Sequence, residues 1–303
     1  MRFTIFQDSR QGDRDGNEDR VGYSFSREVL LMVVADGMGG HHGGEVAAEI
    51  AVNEIQRQFQ QEARNRLRRP QDFLVTTINA AHRAIVSHAV ANNLLECPRT
   101  TCVACIVQGG IATWAHAGDS RLYLLRGGRL LAQTSDHSRV QQMIDSGAIT
   151  PEMAATHPDR NKIYSCLGGV VPPIIAVGGE HALEVGDTIV LSTDGFWAQI
   201  PPTLIASLLK KQDVVGLLPG LLTEAHRRAG GESDNLSVVA MTWEAQDDPR
   251  YADTQSMDGE QFTTSSNSNT MELGRAMPHE DVTDEEIERA IAEIQNAIKR
   301  VPR

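Results

Sequence analysis

The chain has 303 residues, of which 41% are hydrophobic and 22% charged, the composition of a globular protein with room for a sizeable core. A formal net charge of −12 argues against nucleic acid or an anionic membrane surface as the main partner, because both reward basic patches. No run approaches the ~20 apolar residues of a membrane span, and Met1 to Asp8 lacks a signal-peptide apolar region, so the cytoplasm is the expected location.

The first strand signal is the β-branched, apolar run Val29 to Ala35. Two helical periodicities follow: Ala47, Ile50, Ala51, Ile55 and Phe59 share one face, and Leu74, Ile78, Ala81, Ile85 and Ala89 share another. Strands are predicted over Thr101 to Val107, Ile111 to His116 and Arg121 to Leu125. Gly109-Gly110 and Gly127-Gly128 mark tight turns, so Thr101 to Leu131 reads as an antiparallel meander. Cys102 and Cys105 have the spacing of a zinc or redox pair, yet three positions along a strand put side chains on opposite faces. Buried small residues are the plainer reading for both.

From Asp136 to Gly169 the pattern loosens into a short helix at Ser138 to Asp145 and a turn opened by Thr150-Pro151, a segment read as a mobile flap. Strand signals resume at Thr188 to Ser192 and Leu236 to Thr242. Hairpin-built sheets with paired helices between them predict α+β layers, not a doubly wound parallel sheet.

The tail differs in kind. Residues 1–244 carry 27 acidic and 22 basic side chains, whereas residues 245–303 carry 13 and 6. We divide the chain into a domain at 1–244, a polar, acidic linker at 245–281 expected to be disordered, and an amphipathic helix at 282–303. Thr283-Asp284-Glu285-Glu286 forms a capping box, and Ile287, Ile291, Ile294, Ile298 and Val301 make an apolar seam. That seam needs cover from its own domain, a second copy (a dimer) or another protein.

Four aspartates stand at the ends of apolar runs: Asp36, Asp119, Asp194 and Asp234. Gathered at one edge of a β structure they would repel one another unless a cation held them. Carboxylates, carbonyls and water suit Mg²⁺ or Mn²⁺, and the adjacent His41-His42 pair lacks zinc spacing.

Arg14-Asp15-Gly16-Asn17-Glu18-Asp19, Asp36-Gly37-Met38-Gly39-Gly40-His41, Gly118-Asp119-Ser120-Arg121, Thr193-Asp194-Gly195 and Asp234-Asn235 resemble, in order and spacing, the metal-dependent (PPM) serine/threonine protein phosphatases of the protein phosphatase 2C type. The form Asp-Gly-Met-Gly-Gly-His is similar to the bacterial branch, and the likeness runs over roughly residues 5 to 243. The resemblance implies a four-layer α-β-β-α sandwich of two antiparallel sheets flanked by helix pairs, with a two-metal site at one end. It implies Asp36 as the bridging ligand, the Gly37 carbonyl and Asp19 on one ion, and Asp194 and Asp234 on the other. Asp119 with Asp194 resembles the ligands of a weaker third ion, Glu18 is expected behind the ligands, and Arg14 matches an arginine that grips the substrate phosphate.

The implied reaction uses a water activated by two divalent ions in place of a serine or cysteine nucleophile. His41 is the candidate acid for the departing seryl or threonyl oxygen, against the plainer reading of a loop histidine that orders a water. Asp136-His137-Ser138 is read as structural or gating, Trp197 as packing, and Asp145 and Glu152 as solvated flap acids. Two departures stand out: Ser165 occupies a place where many bacterial relatives carry arginine, and Arg99 replaces a glycine before the paired threonines. The leading expectation is a phosphatase for phosphoserine and phosphothreonine in proteins, opposing a bacterial serine/threonine kinase. The competing readings are a non-catalytic phosphatase-like scaffold and a phosphatase dedicated to one regulatory protein through its tail helix.

Overall fold

The computed structural model describes residues 1–39, 43–63, 66–210, 212–245, 263–266 and 271–272. It opens with β1 (Arg2–Arg10), β2 (Asp19–Phe25) and β3 (Val29–Met38), followed by the long helices α1 (Gly43–Glu62) and α2 (Pro70–Ala91). Then come β4 (Arg99–Thr100), β5 (Cys102–Gln108), β6 (Ile111–Ala117), β7 (Arg121–Arg126) and β8 (Arg129–Gln133), and the short helices α3 (Arg139–Asp145) and α4 (Pro151–Ala155). Next are β9 (Leu167–Gly168), β10 (Ala176–Val177), β11 (His181–Ala182) and β12 (Thr188–Ser192). Helices α5 (Asp194–Trp197), α6 (Pro202–Leu208) and α7 (Val214–Ala229) precede β13 (Leu236–Ala245), β14 (Thr263–Ser266) and β15 (Met271–Glu272).

One sheet runs β15-β1-β13-β12-β7-β8 and the other β10-β6-β5-β3-β2-β14, with β11 on β6 and with β4 bridging β3 to β9. Among the described residues every strand pairing is antiparallel. The expected four layers follow from what each strand buries. In β3, Val29, Leu31, Val33 and Ala35 pack under α1 and α2, while Leu30, Met32 and Val34 face the other sheet. Burial on both faces is why this strand reads as a continuous apolar run rather than an alternating one. On the far side, Val190, Val238 and Ala240 pack with Ile205 of α6 and with Leu218 and Leu221 of α7, making a third apolar layer. Each such fully buried aliphatic side chain contributes about 1.5–3 kcal/mol relative to exposure.

The helical faces read from the sequence lie where expected, with Ala47, Ala51, Ile55 and Phe59 of α1 against Leu74, Ile78, Ala81 and Ile85 of α2 in one core. Cys102 and Cys105 fall in different cores, one under the helices and one between the sheets. Burial pushes both thiols upward, which suits inert packing rather than metal or redox chemistry. In the flap, Ser138 Oγ accepts the Gln141 amide at 3.2 Å to start α3, and Thr150 does the same for Met153 at 3.4 Å in α4.

Three expectations change. The predicted meander breaks, because β5–β6 and β7–β8 are hairpins but β6 and β7 belong to different sheets. At Gly118-Asp119-Ser120 the chain crosses from one layer to the other, a step whose short polar sequence looks like any turn. Strands β1 and β2 add to the predicted set, since neither carries a strong apolar run to announce it. Lastly, the stretch expected as a disordered linker contains β14 on the free edge of β2 and β15 on that of β1. Composition reports only that such a segment cannot build a core, while an edge strand's unpaired backbone groups accept any extended partner. The tail helix at 282–303 lies outside the described residues.

Candidate metal centre

The β2–β3 hairpin makes the first juxtaposition, since Asp19 and Asp36 are cross-strand partners. The Asp36 backbone is clamped from the β4 side: its amide donates to Thr101 Oγ1 (3.0 Å), and its carbonyl accepts from the Thr101 amide (2.8 Å) and Thr100 Oγ1 (2.9 Å). Gly37 follows in a space that admits no side chain, because a Cβ there would lie 2.2 Å from the Gly44 carbonyl oxygen. Close approach of α1 to β3 therefore demands glycine at this point.

Asp119 sits at the crossing between the sheets, held by neighbours on two sides. Trp197 Nε1 donates to the Asp119 carbonyl at 3.0 Å, and Arg121 stacks over the Trp197 ring at 3.5 Å while binding both oxygens of Asp136 at 2.8 Å. His137 completes the brace: its amide donates to the Gly118 carbonyl (2.9 Å), and its Nδ1 accepts the Gly118 amide (3.3 Å). Asp136-His137 is thus structural here, and Trp197 does more than pack. Asp194 opens α5, so Trp197 ties the Asp194 helix to the Asp119 crossing. A Cβ at Gly195 would lie 2.1 Å from the Asn235 carbonyl oxygen, which brings α5 hard against the Asp234 segment.

Asp234 accepts from the Asn235 amide at 2.9 Å and from Arg14 at 2.7 Å, both side chains of that ion pair being well exposed. The Asn235 side chain binds the opening loop to this strand, accepting the Glu18 amide (2.8 Å) and donating to the Gln11 (2.7 Å) and Gly16 (2.9 Å) carbonyls. The Glu18 carboxyl rests against the first turn of α1, since a Cβ at Gly44 would lie 2.4 Å from Glu18 Oε2. The positive end of the helix suits that anion.

The acids are close enough to alter one another. Burial drives the Asp36 carboxyl well above the usual range, and the charges of Asp19, Asp194, Asp119 and Asp234 add to it. Asp19 is pushed up to about 7, chiefly by burial, with Thr193 and Ser237 hydroxyls pulling the other way. Burial also raises Asp119 to about 7, aided by Asp194 and Asp136, and Asp194 to about 6, aided by Asp234. Asp194 also lies within hydrogen-bonding reach of Asp36. Thr193 Oγ1 donates to Asp19 Oδ2 at 2.8 Å, but Asp19 Oδ1 is buried with no hydrogen-bond partner.

A buried carboxylate oxygen without a donor, amid mutually repelling acids, fits a bound cation. The donors are all oxygens, which selects a hard divalent ion over zinc. Among the described residues no three of these side chains form a closed cage. Asp234 is instead bound to Arg14 and Asp19 to Thr193. A cavity of about 410 Å³ lined by Arg66, Gln108, Ile111 and Glu180 contains none of the acids.

Of the residues expected from the sequence, Arg14, Glu18, Asp19, Asp36, Gly37, Asp119, Asp194 and Asp234 gather at this end of the sandwich. His41 lies outside the described residues. Thr193 and Asn235 stand in the quoted motifs Thr193-Asp194-Gly195 and Asp234-Asn235 but were given no role there, and the Trp197 hydrogen bond left no signal in the sequence.

A family model described as "Protein phosphatase 2C" matches residues 7–226. The chain is 31% identical to "Serine/threonine phosphatase stp" of Listeria monocytogenes over 236 residues, covering 77% of this chain and 93% of that one. The solved serine/threonine phosphatase of S. agalactiae superposes with a TM-score of 0.71 at 30% identity, covering 80% of this chain and all of that one. The catalytic domain of the serine/threonine protein phosphatase PstP, solved with two manganese ions, superposes with a TM-score of 0.67 at 29% identity over 80% of this chain and 99% of that one.

Proposed function

The chain belongs to the protein phosphatase 2C family, and from that premise we propose that it is a metal-dependent enzyme hydrolysing phosphoserine and phosphothreonine in proteins. The observation that carries the reading is the Asp36 carboxyl, which feels four other aspartates while Asp19 Oδ1 beside it has no donor. In this reading Asp36, Asp19, the Gly37 carbonyl, Asp194 and Asp234 would hold two divalent ions, and Asp119 with Asp194 would hold a looser third. Bound Mn²⁺ or Mg²⁺ supplies Lewis-acid charge and an acidified water as nucleophile.

The chain's own groups do the rest. Arg14 offers a planar guanidinium at the exposed rim, with one N–H group committed to Asp234 and the rest of the fork left for phosphate oxygens. Asn235, Thr193 and Thr101 hold the acid-bearing segments rigid, which keeps the ligands from reorganising during reaction. Glu18, set against α1, supports the Asp19 strand from behind. His41 is the candidate proton donor to the leaving oxygen.

The phosphorylated proteins are a bacterial serine/threonine kinase or its targets, and the cytoplasm is the proposed location; among the described residues no helix is long and apolar enough to cross a membrane. The tail helix at 282–303 is proposed to recruit a partner or a second copy. A non-catalytic scaffold is disfavoured, because loss of function is expected to erode ligands and here all five acids and Arg14 are retained. The test is hydrolysis of p-nitrophenyl phosphate and phosphothreonine peptides with Mn²⁺ and with chelator. Turnover should need the metal; metal-independent turnover overturns the mechanism, and no turnover with any divalent ion favours the scaffold.

A further inference from the structure

The two-residue strand β4 joins the metal loop to the loop after β9. Thr100 pairs with Gly37 and Arg99 with Met38 on one side, and Arg99 pairs with Gly168 on the other. Thr100 is buried beneath Asp36, so Arg99, next along the strand, presents its side chain outward and is exposed. Its Cδ and Nε lie 3.9 Å from where a Cβ on Gly169 would sit. Burial raises the nearby Cys166 thiol, while the Arg99 charge lowers it and the Asp119 charge raises it further, so both groups lie within electrostatic reach of that sulfur.

The other arginines around the acids are committed: Arg14 to Asp234, Arg20 to Glu45 and Arg121 to Asp136. Among the described residues Arg99 makes no ion pair and no side-chain hydrogen bond. An uncommitted cation beside buried aspartates, in a chain of net charge −12, offers a local site for an anionic side chain. Exposed apolar residues flank the two segments that meet at Arg99: Gly169 donates to Cys97 Sγ at 3.1 Å, with Leu95 two residues before Cys97 and Val170 and Val171 directly after Gly169. Arg14 and Arg99 stand on different sides of the acids, one at Asp234 and one at Met38.

We infer that Arg99 and the apolar ledge of Leu95, Val170 and Val171 bind the segment of a phosphoprotein substrate that flanks its phosphorylated residue, selecting an acidic side chain there. The inference rests on the phosphatase reading. Arg14 takes the phosphate, and Arg99 takes a carboxylate a few residues along the same peptide. Since Arg99 is exposed, the selectivity is on the scale of a surface ion pair, about fivefold.

The test compares phosphothreonine peptides flanked by Glu with the same peptides flanked by Gln or Lys, using the Mn²⁺-loaded full chain, Arg99→Ala, Arg99→Lys and Arg99→Glu. The expected wild-type kcat/KM is about fivefold higher for the Glu peptide than for the Gln peptide, carried by KM and weakened by salt. Arg99→Ala should erase the preference through KM, Arg99→Lys should keep most of it, and Arg99→Glu should shift it to the Lys peptide. Turnover of p-nitrophenyl phosphate by the wild type separates the two claims. With that turnover present, equal use of the three peptides, or a preference surviving Arg99→Ala, overturns the role of Arg99 alone; without it, the phosphatase reading and this inference fall together.

Discussion

The two ends of the sandwich bury acids in opposite ways. At the end formed by Arg126, Glu184 and Asp187, the buried Asp187 carboxylate receives Arg126 Nε at 2.8 Å, a second Arg126 nitrogen at 2.6 Å and the Glu184 amide at 2.8 Å. At the other end, the buried Asp36, Asp19, Asp119 and Asp194 lie near enough to raise one another, the exposed Arg14 pairs with Asp234 instead, and an Asp19 oxygen has no donor. The same sheets thus carry one acid site balanced from within the chain and one whose balance must come from outside. A structural acid needs a matched partner, whereas a ligand needs to lack one.

The sharpest way to break this comparison is to delete an acid at the metal end. Asp194→Ala should lower Mn²⁺-dependent turnover by about 10³-fold or more, the scale of several kcal/mol of metal-supplied charge stabilisation. In chelator the same variant should melt no lower than the wild type, because removing one member of a repelling cluster relieves the others. A variant that keeps its activity, or that unfolds like a damaged core, would show that Asp194 is structural.

The pH dependence of the metal-free chain tests the same contrast with the sequence intact. Asp19 and Asp119 are raised to about 7 and Asp194 to about 6, above an unfolded value of about 3.9. Between roughly pH 4 and 7 the folded chain therefore binds more protons than the unfolded one, so stability falls as pH rises through that window and levels off above it. Saturating Mn²⁺ should flatten or reverse the trend, because the ion replaces the protons. Melting curves from pH 4.5 to 8, with chelator and with Mn²⁺, decide; a metal-free stability that climbs from pH 5 to 7 would contradict the clustering.

At the opposite end the expectation is reversed. Arg126→Ala strands Asp187 as an unpaired buried acid and should cost about 2 kcal/mol by denaturant unfolding, less than a fully enclosed pair because Arg126 is about one-third exposed. Metal affinity should not move. If Mn²⁺ binding weakened instead, the two ends would be coupled and the division drawn between them would be wrong.

How far the sequence reveals this contrast depends on which atoms carry it. The apolar runs of β3, β12 and β13 and the faces of α1 and α2 were legible, because burial on a fixed period is a local property. The aspartates were visible as punctuation at strand ends, and the ordered motifs turned them into a candidate site. What was hidden is relational. Asp19 meets Asp36 through the β2–β3 register, in a strand too polar to announce itself, and Asp119 lies at a crossing between sheets that reads locally as a turn. Thr263 to Ser266 pairs with β2 because an edge was free, which no property of those four residues encodes. The brace from Trp197 to Asp119 spans 78 positions and leaves no periodic trace.

That brace gives the smallest expected effect and the finest test of how the metal end is held. Trp197→Phe keeps an aromatic ring under Arg121 but removes the Nε1 hydrogen bond to the Asp119 carbonyl, an interaction worth about 1 kcal/mol. If the bond fixes the Asp119 crossing against the Asp194 helix, the loss should appear in a calorimetric Mn²⁺ titration as about fivefold weaker binding at the proposed Asp119 site, with the two proposed sites around Asp36 unchanged. Trp197→Ala also removes the stacking surface and should cost about 3 kcal/mol of stability. Equal titrations for the wild type and Trp197→Phe would leave Trp197 as a packing residue only. The acids at this end would then owe their placement to Thr101, Thr193 and Asn235 rather than to a link between the Asp119 crossing and α5.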